Sequence, residues 1–120
     1  MKNYKELIIW QKGIEIVKRI YGFANKFPDE EKFGIVAQMT KAAVSIPANI
    51  AEGSSRNSDK DYVRFLQISL GSVFEVQTYL IIAKEMNWLM VEEIKDIETL
   101  LEEEIKMIHR FINTLNKANS

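Results

Sequence analysis

The first long apolar pattern in the chain decides its fold class. Residues 4–28 read YKELIIWQKGIEIVKRIYGFANKFP. Asn3 and Glu6 are placed like a capping box, and Phe27-Pro28 predicts a helix end, so a helix is expected over about 4–26. Its apolar residues recur at alternating spacings of three and four, which predicts a seam facing a bundle core: Leu7, Trp10, Ile14, Val17, Tyr21 and Ala24.

A second apolar set lies beside this seam on the same predicted helix. Together the two sets cover about half of the helix circumference, which is wider than the roughly 100° stripe that a surface helix needs. We therefore expect the second set to be buried against another copy of the chain. The candidate interface residues are Ile9, Ile16, Ile20 and Phe23.

The second segment predicts a helix from Pro28 to about Glu52. Proline and acidic residues in the first turn suit a helix N-terminus, and Gly53 is expected to cap the other end. Pro47 lies inside this helix. Because proline has no N–H for the carbonyl of Ala43, the helix is predicted to be kinked there.

Two more helices follow. Residues 53–57 have the composition of a loop, and Ser58 with Asp61 predicts the start of a third helix that is apolar nearly all round. Asn87 marks a weaker break. The fourth helix, from about Val91 to 117, has one apolar face and is otherwise polar. The prediction is an all-α, four-helix protein in which residues 1–120 form a single domain.

Composition limits the classes of function. Of the 120 residues 47% are apolar and 28% are charged, which is typical of a globular protein. Sixteen basic and seventeen acidic residues give a net charge of -1, so the strong positive charge of a generic nucleic-acid binder is absent. The sequence contains no cysteine, which excludes thiolate chemistry and fits a reducing compartment, so a cytoplasmic location is expected. The unbroken apolar runs are far shorter than a membrane span of about 20 residues, and we expect no membrane association.

The residue types for catalysis or metal binding do not occur in suitable patterns. His109 is the only histidine, and no Glu-x-x-His pair includes it. The five glycines fit neither the dinucleotide fingerprint nor the phosphate-binding loop. The carboxylates of residues 102–104 are consecutive and point in different directions. We therefore predict no catalytic, cofactor or metal site and no enzymatic activity.

A polar stripe follows helical spacing along the second helix: Gln38, Lys41, Ser45, Asn49 and Glu52. In one interpretation it is a solvent face or a hydrogen-bonded seam against Arg64, Gly71 and Glu75 of the third helix. In the other it is a ligand or partner surface.

Nucleic-acid binding has four candidate residues, which are Lys41, Arg56, Lys60 and Arg64. Four cations in one subunit would bind phosphates weakly, whereas a ring of subunits that repeats them would bind usefully. The alternative is an ordinary mixed-charge surface. A second function also stays open, in which the acidic residues 92–104 of the last helix dock a basic protein partner without nucleic acid.

One stretch carries a specific resemblance. Residues 38–53 read QMTKAAVSIPANIAEG, and further matches lie at 7–11, Tyr21, 27–28, Glu31, 33–34 and 71–72 with Glu75. The chain closely resembles the bacterial family named for proteins encoded in intervening sequences of 23S rRNA genes. That resemblance implies an up-down four-helix bundle that assembles into a homo-pentameric ring. It also includes accessory proteins of diversity-generating retroelements, so it implies RNA, DNA or a reverse-transcriptase-like protein as partners.

Overall fold

The computed structural model describes residues 3–118 and contains four long α-helices. They are α1 (Ile8–Phe23), α2 (Ile35–Ser54), α3 (Asp59–Glu85) and α4 (Val91–Ala118). Helices α1 and α3 each pack against α2 and α4, so α1 and α3 lie diagonally opposite one another. The bundle measures 47 × 24 × 21 Å. The predicted all-α four-helix bundle is confirmed.

The first helix is shorter than predicted. Short 3-10 turns occupy Tyr4–Glu6, Ala24–Lys26 and Asp29–Glu31. Asn3 accepts a hydrogen bond from the Lys5 N–H, and Leu7 is extended, so the cap serves the first short turn and α1 begins after it. The acidic residues after Pro28 form only one of these turns. Because the backbone at Gly34 is outside the helical region, α2 begins at Ile35.

Helix α2 is continuous through Pro47 and extends past its predicted cap. Gly53 lies inside the last turn, and Ser55 is the C-terminal cap residue. Pro47 is buried against α1, where a Cβ atom at Gly13 would lie 3.1 Å from the Pro47 Cβ. Pro47 is therefore a packing residue between the two helices, and the predicted kink stays a prediction.

The predicted ends of α3 and the start of α4 are confirmed. The Ser58 hydroxyl accepts a hydrogen bond from the Asp61 N–H at 3.1 Å, which caps α3. Asn87 has a φ of 61°, a left-handed conformation that asparagine tolerates and that ends the helix. At the start of α4 the Met90 N–H donates to the Glu93 carboxylate at 2.8 Å.

One core runs the length of the bundle and takes residues from all four helices. Helix α3 supplies the largest share, including Leu66, Val73 and Leu80, which are fully buried. By length and composition α3 is also apolar enough to cross a membrane, with a mean hydropathy of 1.4. The core helix of a soluble bundle meets the same criterion, and α3 packs here on α2 and α4.

The structure corrects the assignment of faces on α1. Ile9, Ile16 and Ile20, predicted at an interface between copies, are buried in the core of the single chain. Phe23 is half-buried and packs against the same core. The two apolar sets have the same period, so spacing alone does not show which one points inward. Gly13 decides it, because its missing side chain lets Pro47 approach the face that carries these isoleucines.

Candidate functional site

Two of the predicted nucleic-acid residues come together at one end of the bundle. The guanidinium carbons of Arg56 and Arg64 each lie 4.6 Å from the centre of the Phe65 ring. This is a cation–π geometry, and it fixes both arginines near one nearly buried ring. Each arginine also has an acidic partner on its own segment, Glu52 for Arg56 and Asp61 for Arg64. We name Arg56, Arg64 and Phe65 the arginine cluster.

The absence of a side chain at Gly53 makes this cluster possible. A Cβ atom at Gly53 would lie 2.8 Å from the Phe65 Cβ and 2.9 Å from Cδ1 of Tyr62. The last turn of α2 therefore packs directly on the first turns of α3. Tyr62 in turn makes an edge-to-face contact with Phe111 of α4, with ring centres 5.3 Å apart. Burial raises the pKa of the Tyr62 hydroxyl.

The other two predicted cations lie apart from the cluster. Lys60 is exposed on the first turn of α3, one helical turn before Arg64. Lys41 is on the same helix as Gly53 but twelve residues earlier, about 18 Å along the axis. The four predicted residues are therefore not one patch within a single chain.

The bundle is polarised by charge along its length. The end that contains the arginine cluster combines residues 3–8, 52–64 and 110–118, with six basic and four acidic residues. The opposite end combines residues 23–35 and 81–98, with four basic and eight acidic residues. Here the Lys26 ammonium, and secondarily the Met90 N–H, lower the pKa of Glu93. One end is net positive and the other net negative, although the whole chain carries only -1.

The polar stripe of α2 borders α3 and is partly a hydrogen-bonded seam. The Ser72 hydroxyl donates to the Ser45 hydroxyl, and the buried Ser69 hydroxyl donates to the Ile46 carbonyl, each at 2.8 Å. Asn49 donates back to Ser45 on its own helix. Two serines thus form the α3 side of the seam. Arg64 and Gly71, which the sequence interpretation placed on that side, are exposed.

At its other end the stripe lines a small cleft between α2 and α3. Gln38, Lys41 and Ser45 face Ser72 and Glu75 across a volume of about 260 Å³. Glu75 also accepts a hydrogen bond from the Tyr79 hydroxyl, and burial together with this bond raises the pKa of Tyr79. The cleft is polar and open, and it brings one cation and one carboxylate together.

Glu104 is a buried carboxyl group that the sequence pattern did not reveal. Its side chain has no exposed surface, and within residues 3–118 neither oxygen has a hydrogen-bond partner. Burial raises its pKa to about 8, with a weaker opposing effect from Lys12 of α1. Lys12 itself binds the neighbouring Glu103 at 2.8 Å. The consecutive glutamates do point in different directions, but one of them points into the core.

Five of the exposed large apolar residues lie on two opposite faces of the bundle, whereas Phe33, Met86, Met90 and Val91 are exposed at its net negative end. The first, the α1/α2 face, carries Ile14 and Tyr21 of α1 with Val44 and Ala48 of α2. Ile14 and Tyr21 belong to the stripe first predicted to be core, and they are 37% and 55% exposed. That stripe therefore lies at the outer edge of the α1–α2 contact, which corrects its predicted burial.

The second face, the α3/α4 face, carries Phe74 and Ile81 of α3, each 47% exposed. Gln77 between them donates to the Glu102 carboxylate of α4 at 2.8 Å, and Glu98 lines the same shallow cleft. Apart from Val91 in its first turn, the rest of the outer surface of α4 is polar. Its buried residues keep to one face, including Ile94, Leu101 and Ile108.

The described part of the chain offers no assembled metal centre. Among residues 3–118 no three histidine, aspartate or glutamate side chains are close enough to hold a metal ion. His109 is exposed on α4. The residues that sequence analysis missed, Phe65 and Glu104, are recognisable only from contacts between helices.

The chain is similar in sequence and in fold to known proteins. The 23S rRNA-intervening sequence protein family matches residues 5–110. The fold is similar to the crystal structure of a protein of unknown function from the S23 ribosomal protein family of Bacteroides thetaiotaomicron VPI-5482. The TM-score is 0.81 at 23% identity, over 88% of this chain and 98% of that one. No curated protein matches the chain. Because the family pattern covers nearly all of the sequence, the chain belongs to the 23S rRNA-intervening sequence protein family.

Proposed function

We propose that this protein is a non-enzymatic cytoplasmic scaffold that assembles with copies of itself. The expected assembly is the homo-pentamer that the family resemblance implies. The observation that carries the proposal is the pair of apolar faces on opposite sides of the bundle. Single exposed apolar residues are normal on a protein surface, but aligned sets mark interaction sites. Ile14 and Tyr21 are seven residues apart on α1, as are Phe74 and Ile81 on α3, so each pair is aligned on one side of its helix.

The test is the mass of the full chain by sedimentation equilibrium, with substitutions on the α1/α2 face. Because a charge buried between subunits is costly, Ile14→Glu with Tyr21→Glu should lower the assembled mass toward the 13.9 kDa monomer. Both residues are exposed, so the helical circular dichroism should not change. Thr114→Glu, at an exposed position of α4 on the side towards α1, is the control. A wild-type chain that is monomeric at all concentrations would refute the proposal.

Nucleic-acid association is the second part of the proposed function, and the arginine cluster supports it. The ring of Phe65 holds two guanidinium groups at the positive end of the bundle. An assembly in which all copies point the same way would repeat this cluster on one rim. Repetition multiplies the number of phosphates contacted, and phosphate contacts dominate affinity.

Binding of structured RNA and of duplex DNA across a salt series tests this part. The assembled protein should bind with an affinity that falls steeply with salt, and Arg56→Glu with Arg64→Glu should abolish it. Lys32→Glu with Lys95→Glu, at the acidic end, gives the same change of net charge away from the cluster. An equal loss of nucleic-acid affinity in that control would mean that binding depends on net charge and not on the arginine cluster. No binding at low salt would favour the alternative function, a protein-binding module that docks a basic partner on residues 92–104.

A further inference from the structure

We propose that the protein binds a free α-amino acid with a large apolar side chain, in a pocket between the start of α1 and the last turns of α4. In this site Arg110 binds the carboxylate of the ligand and Glu6 binds its ammonium group. The site goes beyond the proposed function, since it requires neither self-assembly nor nucleic acid.

The pocket lies between two segments that are far apart in the sequence. Residues 6–9 form one wall, and residues on neighbouring turns of α4 form the other: Met107, Arg110, Phe111 and Thr114. Its volume is about 340 Å³, which is within the range of small-molecule sites. The pocket therefore has the size of a site for one small ligand.

The wall that carries Glu6 is held in place by the hydrogen bonds of the first short turn. The Glu6 N–H donates to the Asn3 carbonyl at 3.0 Å. The side-chain amide of Gln11 in α1 donates to the Lys5 carbonyl, also at 3.0 Å. Because this backbone is already ordered, a ligand does not have to order it on binding.

Two opposite charges line the pocket without pairing with each other. No ion pair joins Arg110 and Glu6, so their nitrogen and oxygen atoms are more than 4.0 Å apart. Within residues 3–118 neither side chain forms a hydrogen bond or an ion pair. A guanidinium group binds a carboxylate, and a carboxylate binds an ammonium group. A ligand that carries both charges on one carbon atom, as an α-amino acid does, bridges the two residues.

Most of the remaining lining is apolar, and it selects the side chain of the ligand. Ile9 is nearly buried, and three further apolar residues are half-buried: Leu7, Met107 and Phe111. A large apolar side chain gains free energy when it leaves water for such a surface, whereas glycine has no side chain to bury. The pocket therefore favours amino acids such as phenylalanine or leucine over glycine and over charged amino acids.

Isothermal titration calorimetry of the full-length chain with L-phenylalanine tests the proposal. A ligand of this size is expected to bind with a dissociation constant of about 1 mM or lower. Phenylpropionate lacks the ammonium group and phenethylamine lacks the carboxylate. Each should bind at least about tenfold more weakly, because it leaves one charged group of the pocket unpaired. No saturable binding of phenylalanine at millimolar concentration, or equal binding of either analogue, would overturn the proposal.

Two substitutions assign the charges of the ligand to the two residues. In Arg110→Gln, phenylalanine should bind no better than phenethylamine, because the carboxylate has lost its partner. In Glu6→Gln, it should bind no better than phenylpropionate. Both residues are exposed, so both variants should fold. Lys95→Gln and Glu92→Gln, at the opposite end of the bundle, are the matched controls and should keep the wild-type preferences. A variant at Arg110 or Glu6 that keeps them would overturn the assignment.

The methyl group of Met107 locates the ligand independently of the charges. Met107 lines the pocket, whereas Met86 and Met90 lie at the opposite end of the bundle. In a chain labelled with carbon-13 at the methionine methyl groups, phenylalanine should shift the NMR signal of Met107 and leave those of Met86 and Met90 in place. A Met107 signal that does not move at saturating phenylalanine would overturn the site.

Discussion

The last turn of α2 touches α3 without a side chain between them, since a Cβ atom at Gly53 would lie 2.8 Å from the Cβ of Phe65. Real Cβ atoms do not approach so closely, and Phe65 is nearly buried and cannot move aside. The contact places Phe65 where Arg56, just past the end of α2, and Arg64 both reach its ring. One glycine thus links helix packing to the geometry of the arginine cluster.

Gly53→Ala should therefore destabilise the bundle by about 1–3 kcal/mol, the usual cost of overpacking. It should also reduce the affinity for nucleic acid, because the ends of α2 and α3 must separate. Denaturant unfolding measures the first effect and a binding titration the second. Gly22→Ala is the control, since no atom lies within 4 Å of its Cβ position. Alanine is the better helix residue there and should be neutral or stabilising. Equal stability of both variants would contradict the close packing.

Glu104 should make the stability of the protein depend on pH. Its pKa is raised from 4.5 to about 8 by burial, so the folded chain holds a proton that the unfolded chain releases. The contribution of Glu104 to the free energy of unfolding is therefore greatest below pH 4.5. It should fall as pH rises toward 8, with a loss of about 3 kcal/mol at pH 7. Lys12 is the charged group on another helix that acts on it, and the other buried polar residues described are Ser69 and Ser72.

Glu104→Gln should remove this dependence, because the amide is neutral at every pH. Urea unfolding at pH 5 and at pH 8, at one protein concentration, should show a smaller difference for the variant than for wild type. Glu103→Gln, which changes an exposed carboxylate on the same turn, should keep the wild-type difference. An unchanged pH dependence in Glu104→Gln would show that this carboxyl is not protonated in the folded protein.

Ser69→Ala tests the hydrogen-bonded seam between α2 and α3. The Ser69 hydroxyl is buried and donates to the Ile46 carbonyl, which lies beside Pro47. Its removal should cost about 1 kcal/mol of unfolding free energy. Thr114→Ala, which removes an exposed hydroxyl from α4, is the control and should change stability little. If Thr114→Ala lowers the unfolding free energy as much as Ser69→Ala does, the buried hydrogen bond of the seam contributes no more to stability than an exposed one.

The number of helices and the ends of α3 and α4 were predictable from sequence because local signals fix them. Ser58 with Asp61 and the left-handed Asn87 are examples, since a cap or a stop needs only a few adjacent residues. The start of α2 was misplaced because Pro28 and the acids after it begin a short turn as readily as a long helix. Such local signals indicate where a turn begins, but they do not determine whether it continues as a long helix.

The orientation of α1 and the content of the site were not predictable in the same way. Two apolar sets of equal period compete on α1, and the choice depends on Gly13 meeting Pro47 from another helix. Both arginines were candidates from the sequence, but the contact with the Phe65 ring was not predictable, because it depends on the close approach of α2 at Gly53. Glu104 looked like its exposed neighbours, and only the packed core distinguishes it.

Native mass spectrometry of the full-length chain at low micromolar concentration tests self-assembly most directly. The account predicts one closed species made of several copies of the 13.9 kDa chain, the pentamer that the family resemblance implies. A closed ring should keep the same mass over a range of protein concentrations. A monomer at every concentration would contradict the account, and so would a series of sizes that grows without limit.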